Sequence, residues 1–183
     1  MSDPLEFLHQ VWPSHSEYAK RWLNRFPQWS QEDTCDVPLL TCIEAWLEDA
    51  KNLSDENTLM SKLRLVRQRS MIEIMRRDLL GQVDLFEVTE ALSFLADASV
   101  QIALNFCHQQ QAERYGQPAN GDCLMVVGMG KLGGLELNAS SDIDLIFCTA
   151  RMAKPWVGQT AEPNPTPSFL RKSGADSSGS SRR

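Results

Sequence analysis

The fold is decided by two stretches, Gly128–Gly134, which reads GMGKLGG, and Asn138–Phe147, which reads NASSDIDLIF. A short apolar run, Cys123–Val127, precedes the glycines and suits a buried strand. The pattern predicts a second strand from Ile143 to Phe147. The sequence therefore joins two predicted strands through a glycine-rich turn.

An acidic pair, Asp142 and Asp144, stands at the start of the second predicted strand. Because side chains alternate along a strand, both carboxylates are expected on one face. Two carboxylates held close together repel and raise each other's pKa unless a cation lies between them, and Mg²⁺ prefers oxygen ligands. Asp142 and Asp144 are therefore the predicted metal-binding and catalytic residues, with Mg²⁺ as the cofactor.

The glycine turn supplies the other half of the predicted site. A backbone without Cβ atoms approaches phosphate oxygens closely and directs its N–H groups at them. Ser140 and Ser141 add hydroxyl donors. Since phosphoryl and nucleotidyl transfer depend mostly on positioning and charge neutralisation, a phosphate cradle beside a metal-holding pair is a sufficient outline of such a site.

The first two-thirds of the chain reads as helices packed in a bundle. Ser14 and Glu17 have capping-box spacing, as do Asp84 and Glu87. A longer helix is predicted from Ser54–Glu56 to about Gly81. Its arginines predict a solvated face, and contacts with nucleotide phosphate or a partner protein are the alternative; they are Arg64, Arg67, Arg69, Arg76 and Arg77.

Composition limits the class of protein. Residues 1–147 carry a net charge of −10 and residues 148–183 one of +4. An acidic body argues against nucleic acid as a partner, because that footprint is normally basic. Five widely spaced cysteines without a C-x-x-C pair predict reduced thiols. No window reaches the length of a membrane helix and no leader is recognised, which predicts a cytoplasmic protein without a membrane partner.

The run Gly128–Phe147 resembles the signature of the bacterial glutamine synthetase adenylyltransferase/adenylyl-removing enzyme. The helical stretch Leu63–Arg69, which reads LRLVRQR, also resembles the N-terminal region of that family. The resemblance covers roughly residues 1–147. Where the family usually has a third glycine after Gly134, this chain has Leu135.

The resemblance implies a magnesium-dependent nucleotidyltransferase fold, used twice in a longer protein of two related halves. The segment resembles the N-terminal half, which removes AMP from a tyrosine of glutamine synthetase by phosphorolysis and releases ADP, whereas the other half attaches AMP from ATP. Implied partners are glutamine synthetase, ATP, ADP, phosphate and the PII signalling protein. Carried over, Asp142 and Asp144 hold the metal, and the residues against nucleotide or phosphate are Gly133, Gly134 and Ser141, followed by Lys131 and Asn138.

The expected fold class is α+β: an N-terminal helical bundle, then the start of a nucleotidyltransferase-type mixed sheet, then a disordered tail. The expected regions are 1–115, helical; 116–147, an incomplete nucleotidyltransferase core; and 148–183, the tail. The tail is rich in proline, serine and glycine and keeps no helical or strand period. Its abrupt onset suggests a frameshifted or truncated reading frame, and hence an incomplete core.

Two alternatives stay open. A catalytically inactive fragment would act at most as a protein-interaction module. A dinucleotide-binding module would use Gly128, Gly130 and Gly133 as its fingerprint, which normally opens a full helix and is followed about 20 residues later by an acid. Here only eight residues separate Gly133 from Asp142, and this spacing disfavours the fingerprint.

Overall fold

The computed structural model describes residues 12–30, 36–116 and 124–149. Within them the helices are α1 (Glu17–Arg25), α2 (Leu39–Glu48), α3 (Glu56–Leu79), α4 (Leu85–Tyr115) and the one-turn α5 (Gly130–Gly133). The strands are β1 (Leu124–Met129) and β2 (Asp144–Thr149). Two 3-10 turns, Trp12–His15 and Pro27–Ser30, flank α1. The described part is thus α+β, as the sequence predicts.

Helix starts follow local capping chemistry. Asp84 and Glu87 form the predicted capping box at the start of α4, with the side chain of each accepting a hydrogen bond from the backbone N–H of the other. The box predicted at Ser14 is wrong, because Ser16 caps α1 and accepts from the backbone N–H of Ala19 at 3.2 Å. Residues Trp12–His15 instead form a 3-10 turn, so α1 begins only at Glu17.

The main core lies where α2, α3 and α4 pack together. Its buried residues include Ile43, Leu59 and Leu95, one from each helix. Leu132 of α5 and Leu137, in the loop after it, belong to the same buried cluster. The glycine-rich turn is therefore anchored to the helical bundle by two leucine side chains.

Charged residues are buried in the last turns of α3, where the sequence predicts a solvated face. Arg76 and Arg77 are 6% and 5% exposed, which corrects that prediction for these two arginines. The Glu73 carboxylate accepts from the Arg76 Nε at 2.9 Å and from the Arg77 Nε at 2.7 Å. Arg77 also donates to the Val37 carbonyl oxygen at 2.8 Å. Pairing with one carboxylate and a carbonyl group makes the burial of two guanidinium groups tolerable.

The described sheet is one antiparallel pair, in which Met129 lies opposite Asp144 and Leu124 opposite Thr149. Both strands are close to their predicted positions, but each ends two residues later than expected. β2 therefore continues past Phe147 into the region expected to be tail. A mixed sheet needs further strands, so that part of the fold stays a prediction.

Some predictions lie wholly or partly outside the described residues. The disorder expected for the tail concerns residues 150–183 almost entirely, and it stays a prediction. Of the five cysteines, Cys42, Cys107 and Cys148 lie in the described part, and all three are free thiols. Among the described helices, none combines the length and apolar character that a membrane crossing requires.

Candidate functional site

The glycine turn folds back closely onto β1, and the contacts differ between Gly133 of the turn and Gly128 of the strand. A Cβ atom at Gly133 would lie 2.7 Å from the carbonyl oxygen of Gly128, closer than real Cβ atoms come. A Cβ atom at Gly128 would lie 3.0 Å from the side chain of Leu132. The packing of the turn thus requires glycine at residue 133, whereas a side chain at residue 128 would displace the Leu132 side chain.

Gly130 is the glycine that lies beside the predicted metal site. Its φ angle is +55°, a left-handed conformation that glycine adopts without strain. A Cβ atom there would lie 3.9 Å from Oδ2 of Asp144. The absence of a side chain at residue 130 therefore leaves space next to this carboxylate.

Asn138 organises the loop between α5 and β2. Its Oδ1 atom accepts from the Ser140 backbone N–H at 3.1 Å, from the Ser140 hydroxyl at 3.1 Å and from the Ser141 hydroxyl at 2.7 Å. Its own backbone N–H donates to the Ser141 Oγ at 3.2 Å. Both predicted hydroxyl donors are therefore engaged within the loop.

The lysine of the turn is connected to the same loop. The Lys131 ammonium group donates to the Ser141 Oγ at 3.4 Å. Lys131 is exposed. The contact brings Lys131, Asn138 and the two serines together, and their binding of phosphate stays a prediction. Gly134 is the C-cap of α5.

The two aspartates are exposed, and neither has a hydrogen bond or ion pair with another described residue. Asp144 is the first residue of β2, but Asp142 precedes the strand. The argument from strand alternation therefore does not extend to Asp142, because the turn stabilised by Asn138 delays the start of the strand. Asp144 is paired with Met129 and shares its exposed sheet face.

Two exposed carboxylates are the type of donor that Mg²⁺ uses in phosphate-transfer sites, so the chemistry of the residues is compatible with this ion. Mg²⁺ is held there by one or two carboxylates and keeps waters or substrate phosphates as its other ligands. Asp142 and Asp144 would supply the carboxylates, and the glycine at residue 130 places no side chain beside Asp144. Within residues 12–30, 36–116 and 124–149, no group of three histidine, cysteine, aspartate or glutamate residues is placed to hold a metal.

Leu135 stands out in backbone conformation. With φ at 56°, it is the only residue other than glycine with a positive φ angle in the described part of the chain. Its side chain is 55% exposed. The resemblance implies a glycine at this position, and the backbone conformation of Leu135 is one that favours glycine.

The organising role of Asn138 was missed at the level of sequence, where Asn138 is only a candidate ligand. A signal was present, because asparagine side chains commonly accept hydrogen bonds from the backbone two residues later, and Asn138 is followed by Ser140 at that spacing.

The dinucleotide alternative loses support, since the glycines open a one-turn helix and the two strands are antiparallel.

These features define an α+β protein in which a glycine turn, anchored to a helical bundle, is followed by two exposed aspartates without a hydrogen-bond or ion-pair partner among the described residues. A family model described as glutamate-ammonia ligase adenylyltransferase matches residues 8–166 of the chain. The chain belongs to this family. The matched range continues past Phe147, although the sequence predicts that the family pattern is lost after this residue.

Curated relatives share the same description. The bifunctional glutamine synthetase adenylyltransferase/adenylyl-removing enzyme of Thioalkalivibrio sulfidiphilus is 41% identical over 156 residues, covering 79% of this chain and 16% of the relative. The protein of that name from Nitrosomonas europaea is 38% identical over 144 residues, covering 73% of this chain and 16% of the relative. The protein of that name from Pseudomonas aeruginosa is 43% identical over 110 residues, covering 57% of this chain and 11% of the relative. The chain thus spans about a sixth of the length of the first two.

Proposed function

We propose that this chain provides the strand, glycine turn and acidic pair of a magnesium-dependent nucleotidyl-transfer site, and that the reaction is removal of AMP from adenylyl-tyrosine on glutamine synthetase. The observation that supports the proposal most is the placement of Gly130 beside Asp144: a Cβ atom at residue 130 would lie 3.9 Å from the Asp144 Oδ2, and this carboxylate has no cationic partner among the described residues. Family membership supports this choice of substrate, since the relatives are named for adenylylation of glutamine synthetase and its removal.

The electrostatic arrangement supports phosphate chemistry. Asp142 and Asp144 leave a local negative charge that a divalent cation would compensate. Lys131, on the glycine turn, provides a positive charge, and its ammonium group donates a hydrogen bond to the Ser141 Oγ. A cation held by the acidic pair would neutralise charge on the reacting phosphates. The protein residues then have the task of holding the phosphate groups in line, which is the larger part of catalysis in this reaction class.

The proposed reaction balances as a phosphorolysis. An oxygen of inorganic phosphate forms a bond to the phosphorus of the tyrosine-linked AMP, and the bond between that phosphorus and the tyrosine oxygen breaks. The tyrosine oxygen leaves with the bonding electrons and takes up a proton, and ADP is released. In this proposal glutamine synthetase is the protein substrate, phosphate, ADP and ATP are the small-molecule ligands, and the PII signalling protein is the regulator.

The test is phosphate-dependent release of ADP from AMP-modified glutamine synthetase by the full 183-residue chain with Mg²⁺. Asp142→Asn combined with Asp144→Asn is expected to lower the rate at least about 100-fold, because the charge that holds the metal is lost. A matched control combines Asp78→Asn with Glu90→Gln, two exposed acids on α3 and α4, and should keep the wild-type rate.

The second candidate is a catalytically inactive chain that acts through protein contacts. The absence of a third metal-binding side chain near the acidic pair, within the described residues, favours it. This second candidate predicts that neither the wild type nor the Asp142→Asn, Asp144→Asn variant releases ADP. Both proteins should then show a helical circular dichroism spectrum and bind glutamine synthetase. Equal ADP release by the wild type and the Asp142→Asn, Asp144→Asn variant would contradict the site assignment.

A further inference from the structure

We propose that Asn138 is a positioning residue of this site. Its side-chain carbonyl oxygen accepts the hydroxyl protons of Ser140 and Ser141, so these hydroxyl groups do not donate to a nucleotide phosphate. Ser141 instead holds Lys131, which donates to the phosphate. The inference rests on the proposed function and deepens it. The sequence alone predicts that all of these residues contact phosphate, whereas the inference gives them separate tasks. The bound molecule is a nucleoside diphosphate.

The orientation of the Asn138 amide follows from its partner. The Ser140 backbone N–H can only donate, so the Asn138 side-chain atom that faces it at 3.1 Å must be the carbonyl oxygen. The same Oδ1 atom receives the Ser140 hydroxyl at 3.1 Å. The amide nitrogen of Asn138 consequently faces away from these donors, and the hydroxyl proton of Ser140 is directed at Asn138.

The hydrogen bonds of Ser141 are also settled by elimination. Its Oγ has three described partners, of which the Asn138 backbone N–H and the Lys131 ammonium group are donors. Only the Asn138 Oδ1, at 2.7 Å, can accept the hydroxyl proton. Ser141 therefore uses its proton on Asn138 and its lone pairs on Asn138 and Lys131. It has no proton left for a phosphate oxygen in this arrangement.

Lys131 is the charged donor of the loop. An ammonium group has three N–H bonds, and one of them is directed at Ser141. The side chain is exposed and lies on the same turn as Gly130, which borders the Asp144 carboxylate. Asn138 thus fixes Ser141, and Ser141 restricts where the lysine charge lies relative to the acidic pair. Such indirect support commonly changes metal affinity or activity by about 10- to 100-fold.

The experiment uses the full chain with Mg²⁺ and ADP as the probe, and measures the ADP affinity together with hydrogen exchange of the Ser140 backbone amide. Asn138→Leu removes the acceptor and is expected to abolish protection of that amide and to weaken ADP binding about 10-fold. Asn138→Asp keeps an acceptor at the same reach, so it should restore the protection and recover part of the affinity. Asn52→Leu, at an exposed asparagine outside the loop, is the matched control.

The serine variants separate positioning from direct binding. Ser140→Ala should change ADP affinity less than about 2-fold, because the Ser140 backbone N–H still bonds to Asn138. Ser141→Ala should weaken it nearly as much as Asn138→Leu. A loss in Ser140→Ala as large as that in Asn138→Leu would overturn the inference, as would an Asn138→Asp protein no better than Asn138→Leu.

Failure of the inference is distinguishable from failure of the proposed function. If Asn138→Leu binds ADP as well as the wild type, the positioning role is overturned and the function stands. If the wild type binds no ADP although its Ser140 amide is protected, the proposed function fails and Asn138 only stabilises a turn. If the wild-type amide is unprotected, the positioning role is overturned whatever the affinity.

Discussion

Gly133 packs directly against the backbone of Gly128, since a Cβ atom on Gly133 would lie 2.7 Å from the Gly128 carbonyl oxygen. The backbone of β1 cannot move out of this contact by a bond rotation, as the end of a flexible side chain can. Gly134 differs, because a Cβ atom there would make only ordinary contacts, the nearest at 3.6 Å from the Gly130 carbonyl oxygen. The adjacent glycines of the GG pair therefore have different structural requirements.

The first prediction compares these two glycines. Gly133→Ala is expected to lower the free energy of unfolding by about 1–3 kcal/mol, because the turn must move away from β1. Gly134→Ala should leave it unchanged or raise it by up to about 1 kcal/mol, since alanine reduces the freedom of the unfolded chain. Urea unfolding of both proteins measures the difference. Equal destabilisation would show that the contact between Gly133 and Gly128 does not constrain the turn.

The second prediction concerns Leu135, whose φ angle is 56°. A left-handed conformation costs a residue with a Cβ atom about 1–2 kcal/mol, and glycine loses about 0.5–1 kcal/mol more in chain entropy on folding. Leu135→Gly is therefore expected to raise the free energy of unfolding by about 0.5–1 kcal/mol in urea or thermal unfolding. The side chain is 55% exposed, so little packing is lost.

Leu135→Ala is the control for the second prediction, because alanine shortens the side chain and keeps the Cβ atom. It should give no gain in stability. A gain equal to that of Leu135→Gly would mean that the exposed side chain, and not the backbone conformation, is the source of the strain.

Local rules explain what the sequence predicts well. The capping box of Asp84 and Glu87 was predictable because both partners lie three residues apart and need no other part of the fold. The two strands were predictable from apolar runs on either side of a glycine turn. The box expected at Ser14 failed because two serines, Ser14 and Ser16, compete for one helix start, and a local pattern does not choose between them.

Tertiary packing decides what the sequence does not show. Arg76 and Arg77 have the composition of a solvated helix face, and contacts across the fold, such as that of Arg77 with the Val37 carbonyl oxygen, are not visible in that composition. The glycine signature indicates a close approach but not its partner, which for Gly133 is the protein's own strand. The role of Asn138 likewise depends on the closure of its loop. The spacing of Asn138 and Ser140 is compatible with this closure but does not determine it.

The third prediction concerns Glu73, which is 6% exposed and receives hydrogen bonds from Arg76 and Arg77. Glu73→Gln removes the carboxylate charge and leaves two buried guanidinium groups without it. The free energy of unfolding is expected to fall by about 3–5 kcal/mol, the usual cost of removing one partner from a buried ion pair. Urea unfolding monitored by tryptophan fluorescence and circular dichroism measures the effect.

Glu48→Gln is the matched control for Glu73, because Glu48 pairs with Lys51 at the surface. An exposed pair of this kind contributes less than about 1 kcal/mol. Similar losses in Glu48→Gln and Glu73→Gln would contradict the view that burial makes the Glu73 carboxylate important.

The fourth prediction concerns Asp55, whose carboxylate caps α3. The Thr58 hydroxyl donates to it at 2.7 Å and the Thr58 backbone N–H at 2.8 Å, and these bonds hold the pKa of Asp55 below its ordinary value of 3.8. Since the pKa is lower in the folded state than in the unfolded state, the cap stabilises the protein fully above the unfolded pKa. That contribution is lost as the pH falls through the folded pKa.

Asp55→Asn and Thr58→Val test this cap in complementary ways. Asparagine accepts the same hydrogen bonds without titrating, so Asp55→Asn should remove part of the acid dependence of unfolding while retaining the helix start. Thr58→Val removes the hydroxyl and keeps the backbone N–H, so the pKa of Asp55, followed by NMR of its carboxyl carbon, should move part of the way back up towards its ordinary value. If Thr58→Val leaves that pKa in place, the hydroxyl is not its main cause, and the cap depends on the backbone N–H alone.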